Sequence, residues 1–171
     1  IGMNHADEIT PLTQMVRPHA VVVTIVGAVH VENFPDGESG VARAKAEIFA
    51  GLEPGGVAVL NADNRWFDFL KAEALKSGAV VRSFGSAEGC DARRTEGISG
   101  ERVRAVIDGE RLDFAIQQPG THWGLNSLAV TRLVDRITHH HDKVMAGERR
   151  LRELKDRLKN LAFASLKAKY A

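Results

Sequence analysis

The fold is decided by the stretch AVVVTIVG at residues 20–27, which leads into AVH at residues 28–30. Its first seven residues form an apolar run rich in β-branched side chains. That composition and length predict a strand buried on both faces of a parallel sheet. Gly27 ends the run. Because ligands in open α/β sheets collect beyond the carboxyl ends of strands, the loop that carries His30 is predicted to lie where a functional site is built.

A helix is predicted from Glu38, because apolar residues recur there at helical spacing: Val41, Ala44, Ile48, Phe49 and Leu52. Lys45 falls on the same stripe and is therefore predicted to point inward. Burial of a lysine is costly unless a partner or a chemical change offsets it. An ordinary explanation is that Lys45 extends along the helix edge and pairs with an acid such as Glu32. The ordinary explanation for His30 is a hydrogen-bonded loop histidine.

The remaining pattern predicts an α/β fold: a mostly parallel sheet with flanking helices, a β-hairpin insert and a C-terminal amphipathic helix. Residues 88–101 are polar and contain glycine, which indicates a loop. Asp63 follows a strand, where a turn-forming role competes with that of a catalytic carboxylate. The other predicted elements are a strand at 56–61, a helix at 66–77, a strand at 79–84, and a hairpin of 102–107 and 111–116 around Asp108-Gly109.

The C-terminal part differs in charge from the rest of the chain. Residues 142–171 hold nine Lys or Arg and four acids, a net charge of +5, which leaves 14 basic and 18 acidic residues in the remainder, a net charge of −4. Leucines at 151, 154, 158 and 161 follow the spacing of a coiled-coil seam over about two heptads. This helix is predicted to dock on the α/β body or on a partner. Nucleic-acid or membrane-surface binding is the less favoured alternative, because acids interleave the basic residues.

Composition places limits on the environment of the protein. The chain has 171 residues with 44% apolar content, enough for one sizeable core. Cys90 is the single cysteine, so an internal disulfide is excluded. Because no run of 18 apolar residues occurs, no membrane span is predicted, and a cytoplasmic location is expected.

Several segments, in order, resemble the central ATPase domain of the Mur ligases: IGMNH at 1–5 with Glu8-Ile9, GAVHVE at 27–32, ARAKAEIF at 42–49, VLNADN at 59–64 and GTHWGLNSLA at 120–129. The resemblance covers residues 1–130 and implies that domain there, with residues 131–171 as a divergent helical extension. The opening pattern Gly-x-Asn-His-x-x-Glu-Ile resembles the branch that adds D-alanyl-D-alanine to UDP-N-acetylmuramoyl-tripeptide. It argues against polyglutamate- or cyanophycin-type ligases.

The resemblance implies an activity that depends on ATP and Mg²⁺, in which the substrate's terminal carboxylate is phosphorylated and then attacked by the amine of D-alanyl-D-alanine. His30 falls at the position of a magnesium ligand, and Lys45 at that of a lysine carbamylated by carbon dioxide. Asn126, with His122 in the same segment, falls where the family contacts adenine.

Asn4 and His5 fall where the family approaches the muramyl-peptide substrate. The alternative for these two residues is N-capping of a helix that begins near Ala6.

No Gly-x-x-x-x-Gly-Lys-[Ser/Thr] motif occurs in the 171 residues. The family's phosphate-binding loop and its first magnesium ligand, a glutamate, fall before the position of Ile1. We therefore expect the 171 residues by themselves to have negligible ligase activity, as a fragment that lacks the family's N-terminal and C-terminal domains.

A function of a different class is a non-catalytic interaction or oligomerisation module that self-associates through the C-terminal helix. This alternative predicts an oligomer whose mass falls by more than the deleted segment when residues 142–171 are removed. Light scattering of the chain with and without those residues measures the difference. An unchanged oligomeric state would count against the tail as an assembly device.

Overall fold

The computed structural model describes residues 1–95, 102–117 and 120–131. These residues all belong to one compact unit, Ile1–Leu133. The C-terminal helix predicted within residues 131–171 lies outside the described residues beyond Thr131. Within the described ranges, no helix combines the length and the apolar character that crossing a bilayer requires.

The described elements alternate between helices and strands and then end in three strands and a helix. Two short 3-10 turns, Val31–Asn33 and Glu47–Gly51, flank the second helix. The elements are α1 Ile9–Val16, β1 Ala20–Val23, α2 Glu38–Ala46, β2 Val57–Asn61, α3 Phe67–Lys76, β3 Val80–Gly85, β4 Ala92–Arg94, β5 Arg102–Ile107, β6 Glu110–Ala115 and α4 at residues 121–131.

The strands form one six-stranded sheet in the order β1-β2-β3-β4-β5-β6. The first four strands run parallel to one another, and β5 and β6 continue the sheet antiparallel. The predicted α/β fold with a mostly parallel sheet and flanking helices is confirmed. The hairpin is part of the same sheet, and its turn has φ of 50° at Asp108 and 87° at Gly109, the positive values that a type I′ turn requires.

Two apolar clusters cover the opposite faces of the sheet. One gathers Val21 and Leu60 with residues of α2 and α3, and the other gathers Val59 and Phe84 with Leu128 and Ala129 of α4. All five residues of β2 are buried, because its side chains alternate between the two clusters. Burial on both faces was predicted for β1. In the structure, only Val21 and Val23 of β1 are fully buried.

Two predicted element ends and one predicted loop are wrong. The strand predicted over residues 20–26 ends at Val23, whose partner on β2 is Leu60. The helix predicted to run through Leu52 leaves α-helical geometry after Ala46, where Thr13 of α1 donates its hydroxyl to the carbonyl of Ile48 at 2.8 Å. Residues 92–94, predicted as loop, form β4, which has three residues and thus no readable periodicity.

The contact between α1 and the second 3-10 turn depends on Gly51. A Cβ placed on Gly51 would lie 2.2 Å from both the backbone carbon and the carbonyl oxygen of Thr13. Real Cβ atoms do not approach backbone so closely, so α1 sits at this distance only because residue 51 has no side chain. The N-terminal segment and the end of the lysine-bearing helix are joined here.

We predict that Gly51→Ala lowers the free energy of unfolding by about 1–3 kcal/mol, because the added methyl group must push α1 away from the 3-10 turn. Urea unfolding measures the change. Gly27→Ala is the matched control, because a Cβ at Gly27 meets nothing within 4 Å and its φ is not positive. Equal stabilities of the two variants would contradict the close approach as the reason for this glycine.

Candidate functional site

Polar side chains gather where the parallel strands β1, β2 and β3 end. Asn61, the last residue of β2, donates its amide to the carbonyl of Thr24 at 2.8 Å, and its amide oxygen accepts the Asp63 N–H at 2.9 Å. Asn64 donates to the carbonyl of Val26 at 2.8 Å. Two asparagine side chains therefore replace strand pairing beyond Val23 and tie the loop that leads to His30 to the end of β2.

Asp63 has a structural contact that fits the turn-forming interpretation. Its carboxylate accepts the backbone N–H of Ser86 at 2.8 and 2.9 Å, which joins the turn after β2 to the residue after β3. Gly85 makes room for this carboxylate, since a Cβ there would lie 2.7 Å from Oδ1. The Asp63 side chain therefore links the ends of β2 and β3 at the carboxyl edge of the sheet.

His30 stands exposed at the end of the loop that follows β1. Its backbone is left-handed, with φ of 63°, and its carbonyl accepts the N–H of Asn33 at 3.0 Å. This conformation is uncommon for a residue with a side chain, though histidine adopts it more readily than most. The left-handed backbone at His30 directs the chain towards the 3-10 turn Val31–Asn33, which contacts α2.

Lys45 lies near the end of α2 and is half-buried, as its place on the apolar stripe predicts. Burial lowers the pKa of its amine, and no charged neighbour contributes to the shift. The alternative in which Lys45 pairs with Glu32 is therefore not what the structure shows. A lysine of this kind holds a larger fraction of neutral, nucleophilic amine at neutral pH than an exposed lysine does.

The segments that carry His30 and Lys45 pack on one another. Phe34, which follows the first 3-10 turn, is buried beside Val41 and Ala44. A Cβ on Gly40 would lie 2.8 Å from the Cβ of Phe34, so α2 and the loop meet closely. The structure thus brings together the two elements of the predicted site.

Glu47 is a residue whose role sequence reasoning missed. Its carboxylate accepts the backbone N–H groups of Asp7 at 2.6 Å, Ile9 at 3.0 Å and Thr10 at 3.1 Å. Three donors at the start of α1 are thus satisfied by an acid about 40 positions later in the chain, where the helix dipole also favours negative charge. No local pattern signals such a cap.

Asn4 and His5 are exposed, and neither side chain caps a helix. The helix that was expected near Ala6 begins at Ile9, so the N-capping alternative for these two residues is wrong. Both residues are instead held by Glu8, which accepts the Asn4 N–H at 2.7 Å and lies 3.2 Å from Nδ1 of His5. Hydrogen bonds, first from the Asn4 backbone and then from the His5 backbone, lower the pKa of Glu8.

A groove of about 420 Å³ runs beside α4. Trp123, Asn126, Ser127 and Val130 line it from one helical stripe, opposite Ile116 and Gln117 after β6. Leu128 and Ala129 are buried against the sheet and fix the orientation of this stripe. Asn126 therefore contributes an amide, with its donor and acceptor, to the same groove as Trp123, a residue that is 47% exposed.

His122 takes a different position from Asn126. It is exposed, it is not part of the groove lining, and its ring tilts by 43° against that of Trp123 at a centroid distance of 5.4 Å. The structure thus places one residue of the predicted adenine segment in the groove and the other beside it. Trp123 also lines the groove, although no binding role was predicted for it from the sequence.

Residues 1–95, 102–117 and 120–131 do not gather three His, Cys, Asp or Glu side chains that could hold a metal ion. His30 thus contributes one nitrogen donor without a preformed set around it. Magnesium prefers oxygen ligands, so a ligand set here needs oxygens from elsewhere.

Comparison with known proteins gives the family. Residues 1–134 match the Mur ligase middle domain. The chain is 32% identical over 162 residues to the UDP-N-acetylmuramoyl-tripeptide–D-alanyl-D-alanine ligase of Escherichia coli (strain K12), covering 92% of this chain and 35% of that protein. It is 34% identical over 135 residues to the UDP-N-acetylmuramate–L-alanine ligase of Saccharopolyspora erythraea, covering 72% of this chain and 26% of that protein.

The fold is similar to that of solved ligases. A crystal structure of MurF from Acinetobacter baumannii superposes with a TM-score of 0.69 and 26% sequence identity, over 77% of this chain and 28% of that chain. The chain therefore spans about a third of the length of the proteins that it matches.

We predict that Glu47→Ala lowers the free energy of unfolding by about 1–3 kcal/mol, because part-buried N–H groups at the start of α1 lose their acceptor. Glu73→Ala on α3 is the control, since among the described residues the Glu73 carboxylate pairs with Lys76 one turn away, and its loss should cost about 0.5 kcal/mol or less. Urea unfolding compares the two. Equal losses would contradict the capping role of Glu47.

Proposed function

The chain belongs to the Mur ligase family, and from that premise we propose that it supplies the central domain of the ligase that adds D-alanyl-D-alanine to UDP-N-acetylmuramoyl-tripeptide in peptidoglycan synthesis. Support for this branch comes from the similarity to the E. coli ligase, which extends over 92% of the chain. The opening pattern from Asn4 to Ile9 points the same way. The similarity to an L-alanine-adding ligase, 34% identical over 72% of the chain, gives the second candidate.

Lys45 carries the proposal. Its place on the inner stripe of α2 and the lowering of its pKa by burial support this role, because carbamylation requires the neutral amine. The neutral amine attacks carbon dioxide, a nitrogen–carbon bond forms, and one proton is released as the amine becomes a carbamate anion. The change removes the cost of a partly buried cation and creates oxygen donors on α2.

The carbamate would also supply oxygen ligands for magnesium. The described residues do not form a ligand set by themselves. In our proposal His30 and the carbamate of Lys45 are the groups of this chain that would hold the ion, which would supply charge neutralisation for phosphoryl transfer when bound. The asparagine bonds from Asn61 and Asn64 hold the loop of His30 in place for that role.

The groove beside α4 suits a flat heteroaromatic base. We assign Asn126 to hydrogen bonding with the adenine of ATP, and Trp123 offers an exposed ring face for stacking. His122 does not line the groove, and we assign it to contact with the nucleotide from its position next to Trp123. Asn4 and His5, held by Glu8, are assigned to contact with the muramyl-peptide substrate. We expect the ligase to act in the cytoplasm.

The assay for the proposal uses the full-length protein with ATP, Mg²⁺, UDP-N-acetylmuramoyl-tripeptide and D-alanyl-D-alanine, with phosphate release and product mass as readouts. We expect turnover only when both substrates are present. Turnover with UDP-N-acetylmuramate and L-alanine in their place would support the second candidate instead. We expect no turnover from the 171 residues alone, and turnover well above background would overturn that expectation.

We predict that Lys45→Arg lowers kcat by about 100-fold, because arginine keeps the charge but cannot form the carbamate that positions the phosphoryl group. Lys71→Arg is the control, since Lys71 is exposed and lies over the Phe67 ring. With ¹³C-bicarbonate, a carbamate NMR signal should be present in the control, absent from Lys45→Arg and stronger as pH rises, because the neutral amine is the reacting form. A signal that survives in Lys45→Arg would refute the assignment.

A further inference from the structure

A second pocket lies on the antiparallel part of the sheet. Its volume is about 420 Å³, within the range of small-molecule sites. The strand register places its side chains in two adjacent rows across three strands. One row is Arg93, Val106 and Arg111, and the other is Thr95, Arg104 and Asp113.

These rows point away from the core. Val103, Ala105 and Ile107 alternate with them along β5 and are buried in the cluster that contains Leu128 of α4. The pocket therefore lies on the face of the sheet opposite to α4, whose side chains line the groove assigned to adenine. The two sites are separated by the sheet itself.

The charges in the pocket leave positive groups in excess. Among the described residues that line the pocket, Asp113 is the one acid, and it already pairs with Arg102 at 2.8 Å and with Arg104 at 3.5 Å. Arg93 has Glu88 at 4.0 Å, and that glutamate side chain is 96% exposed. No ion pair within the described residues involves Arg111. This excess stands out because the chain outside residues 142–171 is net negative, at −4.

We propose that this pocket binds a small molecule bearing a diphosphate. Arg93 and Arg111 stand on either side of Val106, about 10 Å apart at the backbone, two strand spacings. Their long side chains can close on one anion from both sides. Planar guanidinium groups donate paired hydrogen bonds to phosphate oxygens, and the hydroxyl of Thr95 adds a donor. Because a diphosphate has two phosphoryl groups, each arginine can bind a pair of oxygen atoms on a different phosphoryl group.

The shape favours a small ligand over a nucleic acid. The described lining residues of the pocket belong to β4, β5, β6 and the residue after β4, a compact area on one face of the sheet and not a stripe along a helix. The described residues that line the pocket include no aromatic side chain on which bases could stack. A compact ligand with high charge density matches both features.

Titration of the ¹⁵N-labelled full chain with pyrophosphate at low salt tests the proposal. Saturable amide shifts are expected at residues 93–95, 104–106 and 111–113. Arg93→Gln and Arg111→Gln should each weaken the affinity reported by these amides about tenfold, a loss of about 1.4 kcal/mol. Both residues lie at the surface, so spectra of the variants away from the pocket should match those of the unsubstituted chain.

Arg17→Gln is the matched control. It makes the same change in net charge at an arginine that is 71% exposed and pairs with Glu53, outside the pocket. Its pyrophosphate affinity should equal that of the unsubstituted chain. Equal weakening in all three variants, unchanged affinity in both pocket variants, or shifts that do not saturate would each overturn the proposal. Tighter binding of a single-stranded oligonucleotide at the same amides would also overturn it, in favour of nucleic acid.

Discussion

The complete burial of β2 is the constraint on which the rest of the structure depends. Its residues alternate between the two apolar clusters, so helices must cover both faces of the sheet at this strand. No polar side chain fits along the strand until Asn61, its last residue. Polar groups are therefore displaced to the carboxyl edge, where the backbone of neighbouring segments offers them partners.

That displacement builds the framework of the candidate site. Asn61 and Asn64 bind the carbonyls of Thr24 and Val26, and Asp63 binds the N–H of Ser86, so side chains from one turn hold the ends of β1 and β3. Each bond satisfies a backbone group that strand pairing leaves open. The loop of His30 is held by these contacts and by the packing of Phe34 on α2.

The residues of the candidate site differ in how much of their role could be predicted from the sequence. The inward direction of Lys45 followed from helical spacing, and the structure confirms its partial burial. The roles of Asn4, His5, His30, His122 and Asn126 came from resemblance. The capping role of Glu47 could not be predicted from the sequence, because its partners lie about 40 residues earlier in the chain. No spacing rule connects an acid to the start of a distant helix.

Local sequence patterns were sufficient to predict the apolar strands, the helices between them and the Asp108-Gly109 turn, because each depends on side-chain periodicity or backbone preference within a few residues. Tertiary structure alone decided that β1 ends at Val23, that α2 gives way to a 3-10 turn after Ala46, and that residues 92–94 join the sheet. It also placed arginines from β4, β5 and β6 around one pocket. These outcomes depend on hydrogen bonds and contacts between segments that are distant in sequence, which local patterns do not encode.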